Sequence, residues 1–93
     1  MNKRQLSEIL AERAEIPKYR ALKITTDVMN IITEALTQNE RVVLSDFGVF
    51  YVGLSQGYSG YDPVHARPMN VPPQRRARFR VGQGLKRELN QGS

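Results

Sequence analysis

Residues 41 to 53 read RVVLSDFGVFYVG, and this stretch decides the kind of fold open to the chain. Val42, Val43, Leu44, Phe47, Val49, Phe50, Tyr51 and Val52 are the β-branched, aliphatic and aromatic residues that suit a pleated, half-buried surface. The four residues SDFG, 45 to 48, interrupt the run and predict a tight turn between two strands. A hairpin therefore sits in the middle of the chain, and its flanks settle the class.

Downstream, residues 54 to 73 read LSQGYSGYDPVHARPMNVPP, with four prolines and two glycines. A segment this long between two good strands predicts a projecting hairpin-like arm that adds little to a core. The prolines at 68, 72 and 73 cannot donate ladder hydrogen bonds, so the returning strand is expected to be irregular there. Next comes QRRARFRVG, 74 to 82. Successive side chains of a strand point to opposite faces, so Arg76, Arg78 and Arg80 share one face and Ala77, Phe79 and Val81 the other. The stretch GQGLKRELN then predicts a short helix through Leu85 and Leu89, with Gly82 and Gly84 loosening its start.

Upstream lie two helix signals. Asn2 is a good N-cap, Gln5 completes a capping-box pattern, and Leu6, Ile9, Leu10 and Ala14 follow at helical spacing. Lys3 and Arg4 fall in the first turn, where the helix dipole disfavours cations, as though they served an outside anion. Pro17 opens a second helix that stops near Asn39. Its stripe of Leu22, Ile24, Val28, Ile31, Ile32, Ala35 and Leu36 is wider than one short helix can cover, which implies burial against a partner chain. The order is α–α–β–β–arm–β–α: an α+β fold in one domain, residues 1 to 93, with 54 to 73 projecting.

Composition narrows the function. In 93 residues, 14 Lys and Arg outweigh 9 acids for a net charge of +5, which points to a polyanionic partner. A chain this short struggles to enclose a core, and without cysteine it has no disulfide or thiolate device; self-association remains. Phe47, Phe50 and Phe79 are read as that core. His65 has only Asp62 nearby and reads as an ordinary loop residue, neither catalytic nor a metal ligand. No paired-carboxylate motif or phosphate-binding glycine loop is present, and DFG at 46 to 48 lacks the rest of the kinase signature. An enzyme is not expected, nor is a cofactor. The N-terminus lacks a secretory h-region and no apolar run approaches the roughly 20 residues of a membrane span, so a cytoplasmic setting is expected.

Four motifs in order carry a resemblance: MNKRQL at the start, Phe47-Gly48-x-Phe50, Gly60-x-x-Pro63, and Phe79-x-x-Gly82-x-x-Leu85-Lys86. Along nearly the whole chain they resemble the bacterial histone-like HU/IHF family of DNA-architectural proteins. The resemblance implies the IHF-like fold. Two N-terminal helices, a three-stranded antiparallel sheet with a long β-ribbon arm and a short C-terminal helix form an intertwined homodimer, or a heterodimer with a paralogue. Its sheets make a saddle and its arms embrace the minor groove. It also implies a nucleoid-associated protein that bends and compacts duplex DNA with little sequence preference. Phe47, Phe50 and Phe79 become the dimer core, and Pro63 corresponds to the proline that wedges between base pairs. Lys3 and Lys86 match basic positions that touch DNA on the flanks.

The arm departs from the family pattern. The turn is GYDP where GRNP is usual, Tyr58 stands where arginine is usual, and Gln83 where lysine is usual. Arg67 and Asp62 leave residues 54 to 73 formally neutral, while Arg75, Arg76, Arg78 and Arg80 cluster on the strand that follows. Positive charge has moved from arm to saddle, where planar guanidinium forks suit phosphate oxygens. Several readings stay open. The arginines could instead protect a sheet edge. Pro63 could be a turn proline. Tyr58 and Tyr61 could stack on DNA or pack on the arm's own prolines. Asp62 would repel phosphate unless Arg67 pairs with it. Two alternative functions remain: a binder of distorted DNA or RNA structures, and a protein-assembly module that uses the tyrosine-rich arm.

Overall fold

A computed structural model describes residues 1 to 91. It divides into two compact units, residues 1 to 38 and residues 39 onward. The first is a helical hairpin of α1 (Lys3–Ala14) and α2 (Lys18–Thr37). The predicted capping box forms in full: Asn2 Oδ1 accepts from the Gln5 amide at 2.8 Å, and Gln5 Oε1 accepts from the Asn2 amide at 3.0 Å. At its far end α1 closes in a left-handed turn at Glu15 (φ 56°), with the Ile16 amide bonding back to Ala11 O at 3.0 Å. Pro17 then starts α2, where its missing N–H costs nothing.

Small residues sit where the helices meet. Ser7, Ala11, Ala21 and Thr25 are buried, and the two hydroxyls are satisfied by backbone carbonyls one turn back. The larger apolar residues stay open: Leu22, Ile24, Val28 and Ile31 along α2 are all exposed, Ile31 by 63%. No large side chain among the described residues is fully buried. The wide stripe predicted for α2 is therefore left largely open within the single chain at Leu22, Ile24, Val28 and Ile31, while Ile32, Ala35 and Leu36 are partly covered.

The second unit carries β1 (Val42–Leu44), β2 (Gly48–Ser55), β3 (Tyr58–Asp62), β4 (Arg67–Val71), β5 (Gln74–Val81) and α3 (Gln83–Leu89). β1, β2 and β5 form one antiparallel sheet in that order; β3 and β4 form a separate two-stranded ribbon, the arm. The turn predicted at SDFG spans residues 45 to 47, with Asp46 in the left-handed region (φ 66°), which Asp tolerates better than most residues. Phe47 thus lies in this turn, as the SDFG reading predicts, although its side chain is of a strand-favouring type. Its carbonyl accepts from Gly82 at 2.9 Å, and Asp46 O accepts from Leu85 at 2.8 Å, so the turn seats the start of α3. A side chain at Gly82 would press 2.8 Å from the Asp46 carbonyl carbon, hence glycine.

The returning strand of the arm is more regular than expected. β4 runs unbroken through Pro68, which pairs with Tyr61, and only Pro72 and Pro73 interrupt the path into β5. A two-stranded ribbon consists entirely of edge strands, where proline is tolerated.

Candidate nucleic-acid interface

The pairing of β2 with β5 fixes the faces of the sheet. Val49 lies opposite Arg80, Tyr51 opposite Arg78, and Gly53 opposite Arg76. Directly opposed residues of an antiparallel pair share a face. One face therefore carries Val49, Tyr51, Gly53 and the three arginines. The other carries Phe50 opposite Phe79, Val52 opposite Ala77, and Gly48 opposite Val81.

On the arginine face, Arg76, Arg78 and Arg80 are exposed. None of them pairs with a carboxylate among the described residues. Arg76 bonds only to the neutral Gln74 amide oxygen, at 3.4 Å. The Arg80 guanidinium carbon lies 5.5 Å from the Tyr51 ring centre. Three cations without local counter-charge, on one strand face, form a row suited to an anion lattice. Arg75 has the opposite parity and donates to Asn39 Oδ1 at 2.8 Å, so it stands outside that row.

On the opposite face, Phe79 joins Phe50 (ring centres 4.9 Å apart) and Phe47 (5.6 Å, edge to face). The three phenylalanines read as core do cluster. Phe47 and Phe79 nevertheless remain about half exposed within one chain, at 48% and 43%.

The arm brings together Tyr58, Gly60 and Met69 on one ribbon face; the Tyr58 ring lies 3.7 Å from where a Gly60 side chain would begin. Tyr61 and Pro68 pair on the other. Both tyrosines are exposed, and Pro63 opens the tip turn, residues 63 to 66. Asp62 pairs with His65, not with Arg67: Oδ2 is 2.7 Å from Nδ1, while Oδ1 accepts the amides of Val64 at 3.0 Å and His65 at 3.3 Å. The His65 imidazole above all holds the Asp62 carboxyl below its ordinary value; desolvation, the next largest influence, opposes it, and the His65 and Val64 amides add smaller help. His65, read as an ordinary loop residue, thus has a structural partner. Val64, 84% exposed beside Pro63, is a second apolar group at the tip that sequence reading passed over. Lys3 lies in the first turn of α1 and Lys86 in α3, both exposed.

Among the described residues no three metal-ligating side chains converge, and no helix is long and apolar enough to cross a membrane.

The sequence profile of the bacterial DNA-binding protein family matches residues 1 to 90. The chain belongs to this family. It is a histone-like, DNA-binding architectural protein of the HU type, not an enzyme. Among its relatives, DNA-binding protein HU-beta of Neisseria meningitidis serogroup A is 37% identical over 89 residues, covering 96% of this chain and all of that one. DNA-binding protein HU of Geobacillus stearothermophilus is 34% identical over 86 residues, 92% of this chain and 96% of the relative. An HU–DNA cocrystal structure from Anabaena superposes with a TM-score of 0.90 at 27% identity, covering 98% of this chain and 99% of that one. The two-helix, three-stranded-sheet, ribbon and C-terminal-helix order is the HU fold.

Proposed function

We propose that two copies of this HU-family chain interlock to form a saddle that grips duplex DNA through its phosphates, while the ribbon arms follow the minor groove. The carrying observation is the unpaired row of Arg76, Arg78 and Arg80 on one sheet face. The dimer is supported by the exposure of Leu22, Ile24, Val28, Ile31, Phe47 and Phe79 in the single chain: so much apolar surface is unfavourable in water and fits a second copy. Lys3 and Lys86 extend the phosphate contacts along the flanks. Pro63 at the tip acts as the wedge that unstacks a base step, and Tyr58 and Tyr61 pack against sugars. Arg67 is the arm's single cation. Such binding reads deformability rather than base edges, so the protein bends and compacts DNA in the nucleoid.

Phosphate neutralisation releases counterions, so the logarithm of affinity should fall linearly with the logarithm of salt, with a slope of about −0.9 per phosphate engaged. The test is a titration of intact and nicked duplex at several salt concentrations, repeated with the Arg76→Ala/Arg78→Ala/Arg80→Ala chain. Collapse of affinity and a shallower slope are expected. Unchanged DNA affinity would transfer the weight to protein assembly through the tyrosine-bearing arm, and a stable monomer would overturn the saddle.

A further inference from the structure

We infer that Tyr51 and Gly53 of β2 are positioning residues for the arginine row; the inference rests on the proposal that this row contacts phosphate. By register alone, Arg80 should rise beside Val49 and Arg78 beside Tyr51. The side chains do otherwise. The Arg80 guanidinium lies over the Tyr51 ring, 5.5 Å from its centre. Arg78 lies across Gly53, where a side-chain carbon would sit 2.8 Å from its Cδ and collide with its Nε. Each arginine has moved one diagonal step along β2, in the same sense, toward Ser55 and the arm. Diagonal neighbours on an antiparallel pair lie within reach of long side chains, so the step is accessible without strain.

The two β2 residues make the step by different means. The Tyr51 ring offers its negative face to the flat guanidinium, which leaves the N–H edge of Arg80 free for a two-pronged bond to phosphate. Gly53 supplies absence: glycine in a strand interior weakens the strand and often marks a close approach. Its backbone is outside the left-handed region, so conformational freedom does not account for it. What glycine provides here is a trough for the Arg78 stem. Held in this way, the guanidinium groups lose less rotamer freedom when DNA arrives than arginines standing free on a sheet face.

The experiment measures affinity for a fluorescein-labelled duplex at several KCl concentrations, with thermal melting as the folding control. Tyr51→Phe keeps the ring face and should bind like the parent. Tyr51→Leu should weaken binding by roughly two- to five-fold, the size of an exposed cation–π contact. Gly53→Ala should weaken it by displacing Arg78. In an Arg80→Ala background, Tyr51→Leu should cost nothing further, because its partner is gone. Parental binding by Tyr51→Leu, or an equal loss with and without Arg80, overturns the inference while leaving the phosphate row intact. If Arg78→Ala and Arg80→Ala are themselves without effect, the row is not a DNA contact, and the phosphate reading falls with the inference. Should Gly53→Ala fail to fold, the Tyr51 pair and the Arg80 cycle still decide.

Discussion

Asp62 and His65 close the arm tip on itself: Oδ2 of the one lies 2.7 Å from Nδ1 of the other, one residue to either side of Pro63 and Val64. The same carboxylate caps the turn through its second oxygen. The Asp62 carboxylate is thereby engaged by the turn's own donors, and its bonds to Val64 and His65 close the turn that Pro63 opens.

The tip should loosen in acid, as the Asp62 carboxyl takes up a proton. Its pairing lowers the Asp62 carboxyl below the ordinary value. A group depressed in the folded state adds stability above its unfolded pKa, and loses it as pH falls through the folded one. The Val64 and His65 amide resonances should report Asp62 titrating below the same residue in an unstructured peptide. An equal midpoint in the two would show that the tie does not form. Asp62→Asn should keep the turn and abolish this acid transition.

Each saddle arginine should be visible in the salt dependence. Replacing Arg76, Arg78 or Arg80 singly with Ala removes one cation from each protomer, so the dimer should lose two phosphate contacts and the slope of log affinity against log salt should fall by about 1.8. Arg75→Ala should change it less, because Arg75 has the opposite parity and is tied to Asn39. A series of titrations from low to moderate salt separates the two behaviours.

Phe79 meets Phe50 across the strands and Phe47 at the turn. In the dimer, Phe79→Ala should cost about 3–5 kcal/mol, the range for removing a buried aromatic ring. The loss should appear as a lower melting temperature that depends on protein concentration, since association and folding are linked. A concentration-independent melt would mean that the phenylalanine face is not the dimer interior.

The N-terminal cap is local and should behave additively. Asn2→Ala removes the acceptor of the Gln5 amide and should cost about 1 kcal/mol in urea denaturation. DNA affinity should be nearly unchanged, because Lys3 keeps its place in the first turn.

What the sequence made legible was local chemistry. The capping box at Asn2, the break at Pro17, the Asp46 turn and the strict alternation of Arg76, Arg78 and Arg80 all follow from residues a few positions apart. The facing of Tyr51 by Arg80 does not, because it depends on the register between strands that the whole arm separates. Phe47 falls inside the predicted SDFG turn although its side chain is of a strand-favouring type. Its carbonyl bond to Gly82 is a long-range fact that no period reveals. The expected irregularity of the returning arm strand holds at Pro72 and Pro73 and fails at Pro68, because what proline costs depends on whether its strand has neighbours on both sides. His65 looked idle because the sequence shows Asp62 near it but not the turn that points one at the other.

Pro72 and Pro73 leave a gap between the ribbon and the main sheet, where residues 56 and 57 are also unladdered. Substitutions in the ribbon should therefore have little leverage on the stability of the β1-β2-β5 sheet. The outer segment can carry tyrosines where the family pattern has arginines, and an acid at the tip, almost as a separate module. A formally neutral arm can thus sit beside an arginine-rich sheet without disturbing the pairing of β2 with β5.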